Sequence, residues 1–141
     1  MLRFGKLTDY SAAIMCYLYM PDKNHATSAK DIAENLHISL PTVSKILKML
    51  NKSGLVNSIR GASGGYALNK VADKITLLEI IEAMEGKFGI VSCSANPSCL
   101  HDKNCIMKPH WQSINTILVQ MMQQITLADI NNKRGLPKNE Q

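Results

Sequence analysis

The sequence predicts a mainly α-helical protein with one small β-hairpin, arranged as a winged helix-turn-helix followed by a long C-terminal dimerisation helix. Three observations carry that prediction. Two short amphipathic segments lie a few residues apart between Ser28 and Ser53; a glycine-rich hairpin pattern follows, reading LVNSI, RGASGG, YALN; and from Pro109 apolar residues return at alternating spacings of three and four. With 141 residues the chain has room for one ordinary domain, and a 45% hydrophobic share with only 5% aromatics calls for an aliphatic, methionine-rich core.

The first helix is read in TDYSAAIMCYLYM, where Ala13, Ile14, Tyr17 and Leu18 fall at helical spacing after a Thr8/Asp9 start signal, with an end expected at Pro21. The second is SAKDIAENL. Ser28 and Asp31 make a pair like a capping box, and Ile32, Ala33 and Leu36 supply its inner stripe. The third, SLPTVSKILKMLNKSG, takes Ser39 as cap, tolerates Pro41 in its first turn, buries Val43, Ile46, Leu47 and Leu50, and stops at Gly54. Two short helices on a tight connection, followed by a hairpin, form the winged-helix pattern. Next comes TLLEIIEAMEG, with Thr76 and Glu79 as a capping box and Leu77, Ile80, Ile81 and Met84 as its apolar face.

Residues 87–108 then lose all periodicity, and a loop of about 20 residues is uncommon in a compact domain unless it has a chemical purpose. The seam of the last helix is Trp111, Ile114, Leu118, Met121, Ile125 and Ala128, a coiled-coil-like stripe about two and a half heptads long. The organisation expected is therefore a DNA-binding domain over 1–86, a cysteine loop over 87–108, a dimerisation helix over 109–130 and a flexible tail over 131–141. A one-striped helix on so small a domain is expected to pair with its twin, because helix-turn-helix proteins commonly read two half-sites as dimers.

Charge locates the polyanion-facing surface. The formal net charge is +5; residues 1–70 hold nine Lys/Arg against four Asp/Glu, whereas residues 71–141 hold seven of each. From Leu40 to Arg60, Lys45, Lys48, Lys52 and Arg60 occur with no acid among them. Such a local surplus on a helix and wing points to double-stranded DNA. Ser39, Pro41, Thr42 and Ser44 lie near the end of the third helix that approaches base edges, Lys45 and Lys48 suit phosphates, and Arg60, Ser63 and Gly64 lie in the wing. A solvated lysine face is the alternative reading of the helix alone.

Cys93, Cys99 and Cys105 have the spacing C-x5-C-x5-C. Structural zinc sites usually hold a C-x2-4-C knuckle, and none exists here. Wider spacing suits a larger object such as an iron-sulfur cluster. Three cysteines leave one position open, with His101, Asp102, His110 or a residue of a partner chain as candidates; a zinc site with a histidine, or three unrelated thiols, are the other readings. Cys16, set among Ile14, Tyr17 and Leu18, reads as a core thiol, and His25 and His37 read as surface residues of polar turns. No stretch approaches the ~20 apolar residues of a membrane span, and no secretion-signal layout opens the chain, so a cytoplasmic protein is expected. A nucleotide-binding glycine loop, a C-x-x-C pair and a catalytic triad pattern are all missing from the sequence, which argues against an enzyme or a small-molecule substrate.

Taken together, the winged helix, the wing sequence RGASGGYAL, the cysteine triplet and the closing ITLADI resemble the iron-sulfur-cluster-binding transcription regulators that include IscR and NsrR, over about residues 1–130. KLTDYSAA and LPTVSKILKML are most similar to the branch that regulates the SUF cluster-assembly system. The resemblance implies a homodimer carrying a 2Fe-2S cluster, or alternatively 4Fe-4S, on Cys93, Cys99 and Cys105, between this loop and the partner's first helix. The histidine that serves IscR as fourth ligand is replaced by Lys108 here. The aspartate that serves NsrR from the other subunit is matched by Asp9, so the resemblance favours Asp9 in trans, with His110 second. Ser39, Pro41, Thr42, Ser44 and Arg60 match the DNA-facing positions, but IscR has a glutamate where this chain has Ser44, so its operator is not carried over. The implied function is a repressor of SUF genes that senses cluster status; the alternatives are a nitric-oxide- or redox-sensing repressor, or a metal-free or zinc-stabilised winged-helix regulator.

Overall fold

The computed structural model describes residues 2–20, 25–96, 99 and 101–132. Its helices are α1 (Lys6–Leu18), α2 (Ala29–Leu36), α3 (Leu40–Lys52), α4 (Leu77–Glu85), α5 (Ser92–Ala95), α6 (Lys108–Gln124) and α7 (Leu127–Asn131), with strands β1 (Val56–Ile59) and β2 (Gly65–Leu68) between α3 and α4. The expected winged helix is present. Among the described residues no helix is long and apolar enough to cross a membrane.

Helix α1 starts before the Thr8/Asp9 signal because its cap comes from elsewhere in the chain. The Gly5 N–H donates to Glu85 Oε1 at 2.9 Å, and the Thr8 hydroxyl donates to the same oxygen. A carboxylate at this end also opposes the helix dipole. Pro21, the expected end, lies outside the described residues; α1 ends at Leu18. In α2 only half of the expected capping box forms, with Ser28 Oγ accepting from the Asp31 N–H at 3.1 Å. His37 closes this helix at φ 54°, a left-handed conformation rare outside glycine.

In α3 the inner face is the one expected: Val43, Ile46, Leu47 and Leu50 are all fully buried. Each such aliphatic contributes roughly 1.5–3 kcal/mol. Together with Ile14, Met15, Ile32, Ile75 and Leu127 they form the main core, in which α1, α2 and α3 pack against one another. The wing is an antiparallel pair running from Val56 opposite Leu68 to Ile59 opposite Gly65. Its returning strand makes an unforeseen second pairing: Thr27, just before α2, exchanges both backbone hydrogen bonds with Tyr66.

The full Thr76/Glu79 capping box forms in α4. Its apolar face differs from expectation, because Leu78 is buried while Leu77 and Met84 are half-buried. Two packing partners explain this. Ile80 faces the main core, whereas Leu78 and Ile81 join Phe88 and Met122 in a second cluster under α6. The segment read as structureless contains the helical turn α5 and a 3-10 turn at Asp102–Asn104.

The long helix expected over 109–130 is two helices. Ile125 is extended at φ −87°, ψ 118°, and Thr126 with Asp129 opens α7 through a second full capping box. Ile125, a residue of the expected seam, therefore turns inward, 6% exposed, and Met122, which lies outside that seam, is buried beside it. Of the expected seam only Ile114 and Met121 stay outside, 42% and 48% exposed, and with Ile117, 64% exposed and not part of that seam, they form a ridge on α6. Most of the expected tail, residues 133–141, lies outside the described residues.

Candidate nucleic-acid interface and cysteine loop

Helix α3 presents a basic outer side. Lys45, Lys48 and Lys52 are exposed opposite the buried residues of α3, while Thr42 and Ser44 are half-buried at its start. Ser39 is the N-cap residue, yet its hydroxyl bonds the Thr42 hydroxyl at 2.7 Å rather than a backbone N–H. The first-turn donors of α3 are thus left for another acceptor, and Pro41 removes one of them. At the wing, Arg60 and Ser63 are exposed and Gly64 is half-buried. A Cβ on Gly64 would stand 2.3 Å from the Ile59 carbonyl oxygen, so the tight tip requires glycine. Between wing tip and α2 lies a cleft of about 770 Å³ lined in part by His25, Ser28, Asp31, Ile59 and Ser63. Sequence reasoning left His25 as an unassigned surface residue; only the Thr27–Tyr66 pairing brings it beside the wing.

The cysteine loop is anchored at both limbs. At its entrance, the Phe88 N–H donates to Glu82 Oε1 at 2.9 Å and the Ile90 N–H donates to Asn115 Oδ1 of α6 at 3.1 Å. Phe88 is buried, with its ring 6.4 Å from that of Phe4. Between these anchors, Gly89 lies against α5, where an added Cβ would come 2.4 Å from the Ala95 nitrogen. That contact places α5 and hence Cys93. At the exit, Lys108 pairs with Asp102. Its ammonium is held above the ordinary lysine range, first by that hydrogen bond and further by the proximity of Cys93 and Cys99.

Cys93, Cys99 and Cys105 are all half-buried free thiols. Thiolates are the soft donors that iron-sulfur clusters take, so the donor set fits such a group in kind. Among the described residues of one chain, no three His, Cys, Asp or Glu side chains gather to hold a metal ion. Of the sequence candidates for a fourth donor, Asp102 is engaged by Lys108, while His101 and His110 are exposed. Asp9 is exposed on α1 and lines a groove of about 640 Å³ with Arg3, Phe4, Lys6, Ala12, Leu77 and Ile81. Cys16 packs half-buried against the main core, and burial pushes its thiol up, as expected of a core thiol.

A model of the family described as Rrf2, iron-dependent transcriptional regulator, matches residues 4–133. The chain belongs to the Rrf2 family. This Rrf2 regulator is 30% identical over 131 residues, 92% of either chain, to the HTH-type transcriptional regulator NsrR of Bacillus licheniformis. Its fold is similar to that of CymR, the global cysteine regulator of B. subtilis, with a TM-score of 0.76 and 30% identity over 93% of this chain and 97% of that one. It is also similar to T. potens IscR, with a TM-score of 0.70 and 28% identity over 92% and 85% of the two chains. The expected winged helix-turn-helix and the expectation of a regulator rather than an enzyme agree with these relatives: the chain is a DNA-binding transcriptional regulator.

Proposed function

We propose that this regulator is a cytoplasmic homodimeric repressor whose DNA affinity is set by an iron-sulfur cluster, 2Fe-2S in preference to 4Fe-4S, and that it controls SUF cluster-assembly genes. The observation that carries the reading is the anchored loop, held by Glu82 and Asn115, which contains three half-buried free thiols, Cys93, Cys99 and Cys105. Cys93, Cys99 and Cys105 hold the cluster, and Asp9 of the partner completes it, with His110 as the alternative. When bound, the cluster supplies a redox- and ligand-sensitive centre. The chain's own residues do the rest. The ridge of Ile114, Ile117 and Met121 lies on a stretch from Pro109 to Ala128 that contains no charged residue, a composition that suits burial against a second copy. Dimerisation sets the spacing of two α3 helices, which read DNA with Ser39, Pro41, Thr42 and Ser44 and neutralise phosphate with Lys45 and Lys48, while Arg60, Ser63 and Gly64 bring the wing to the backbone.

Anaerobic reconstitution with iron and sulfide tests the reading: bound iron, acid-labile sulfide and visible charge-transfer absorption are expected, and their absence from the reconstituted protein would end it. The fourth ligand is tested by mixing subunits. A dimer of one Asp9→Ala chain with one chain whose three loop cysteines are serine retains one complete site if Asp9 acts in trans, and none if it acts in cis. A second reading of the same cluster, as a sensor of nitric oxide or oxidation, is favoured by the end-to-end match to NsrR. Bleaching by nitric oxide with release from DNA, at iron levels that leave binding unchanged, would select it.

A further inference from the structure

The segments Ile75-Thr76-Leu77-Leu78-Glu79 and Ile125-Thr126-Leu127-Ala128-Asp129 share the pattern I-T-L-x-acid, and the fold sets them side by side. Thr76 and Thr126 form an antiparallel bridge. The Leu77 N–H donates to the Ile125 carbonyl and the Leu127 N–H to the Ile75 carbonyl, both at 2.8 Å. Each threonine also opens a helix by the same reciprocal box: Thr76 N–H to Glu79 Oε2 and Thr126 N–H to Asp129 Oδ2, both at 2.9 Å. The clip lies where the two cores meet. Ile75 and Leu127 are fully buried in the main core, whereas Leu77 and Met122 pack in the cluster shared by α4, α6 and the loop entrance.

On one side of the clip, α6 runs back to Asn115, which holds the loop through the Ile90 N–H. On the other, Glu79 uses its second oxygen to hold Lys70, just past the wing, at 2.7 Å. A displacement of α6 therefore reaches the winged helix along the chain through Ile125 and Thr126, beside the packing of α6 on α4. A helix running straight through to residue 130 would have no such joint.

We infer that the Thr76–Thr126 clip couples the state of the cysteine loop to the wing and reading helix, with Thr126 and Asp129 as its positioning residues. The inference rests on the cluster-dependent DNA affinity proposed above. The test compares wild type with the Thr126→Ala/Asp129→Ala double variant, each measured with and without reconstituted cluster, on a duplex enriched from a randomised pool by the wild-type protein. Both forms of the variant are expected to bind DNA, but the ratio of their affinities should fall by about fivefold or more toward one, since couplings of this kind commonly span 5–150-fold. A merely structural clip would lower the melting temperature and leave the ratio in place, which would overturn the inference. If the wild type shows no ratio at all, the cluster-dependent reading fails and the coupling falls with it. A second measurement needs no variant: hydrogen exchange at the Leu77 and Leu127 amides should change on cluster loading in the wild type, and equal protection in both forms would also overturn the inference.

Discussion

Thr27 and Tyr66 exchange both of their backbone hydrogen bonds, at 2.9 and 2.8 Å, and so tie the entrance of the reading motif to the wing. Gly65 makes the approach feasible. It holds φ 152°, and a Cβ there would stand 2.4 Å from the Thr27 carbonyl carbon and oxygen. Gly65→Ala is therefore expected to destabilise the fold by about 2 kcal/mol, the scale of a strained backbone position, and to weaken DNA binding as the wing shifts off Thr27. Urea unfolding and a fluorescence-anisotropy titration with duplex DNA check the two effects. Unchanged DNA affinity in this variant would mean that the wing's attachment to Thr27 has no part in recognition.

The lysines of α3 carry a different expectation, because they are exposed and form no ion pair among the described residues. Lys45→Ala should leave stability within about 0.5 kcal/mol of wild type and lower the slope of log affinity against log salt by about one. Thr42→Ala removes the hydroxyl bonded to Ser39 and should alter preference among sequences more than overall affinity. Identical salt slopes for wild type and Lys45→Ala would exclude this lysine from the phosphate contacts.

Local pattern and long-range geometry differed in how far the sequence disclosed them. The buried face of α3 follows from period 3.6 alone, and the four residues it names are the four that the core encloses. The Thr76/Glu79 box is equally local. The true start of α1 was not legible, because its cap is Glu85, a residue whose nearness depends on the packing of α4. The break at Ile125 had a signal: Thr126-x-x-Asp129 has the same capping pattern that Ser28 and Asp31 have, but the heptad-like seam overrode it. For the cysteine loop, spacing marked Cys93, Cys99 and Cys105 as candidate donors, whereas the loop's anchoring through Glu82, Gly89 and Asn115 is non-local and left no trace in the pattern.

Glu85 also makes stability depend on pH. Its bonds from Thr8 and then Gly5 hold its carboxyl below the ordinary glutamate range. A carboxyl depressed in the folded state favours folding above its unfolded pKa of about 4.3, and that contribution is lost as pH falls through the lower folded value. Wild type should therefore exceed Glu85→Gln in urea midpoint at pH 7, with the gap narrowing as pH falls from 5 toward 3. A gap that stays constant across that range would show that the ionised carboxylate contributes nothing to the cap.

Ser94 is the one side chain whose hydroxyl is buried without a hydrogen-bond partner among the described residues. A buried unsatisfied hydroxyl costs about 1–3 kcal/mol, so Ser94→Ala should raise the melting temperature of the cluster-free protein by roughly 3 °C. Ser92→Ala is the control, since Ser92 is exposed in the same helical turn and reports the helix-propensity gain alone. Equal rises in the two variants would show that the Ser94 hydroxyl is satisfied in solution.

Gly89 separates the placing of the cysteines from the stability of the winged helix. An alanine methyl there would meet the Ala95 nitrogen at 2.4 Å and the Ala95 Cβ at 2.7 Å, so α5 must move away from the loop entrance. Cys93 moves with it, whereas the main core, to which neither Gly89 nor α5 contributes, keeps its packing. Gly89→Ala is therefore expected to retain the far-ultraviolet circular dichroism of wild type and the DNA affinity of the cluster-free form. Its iron content after anaerobic reconstitution should fall to less than about half, because metal sites tolerate ligand displacements of only ~0.2 Å. Wild-type iron content in this variant would show that the position of α5 does not govern cluster capture, and that Cys93 reaches the site by a rearrangement of the loop.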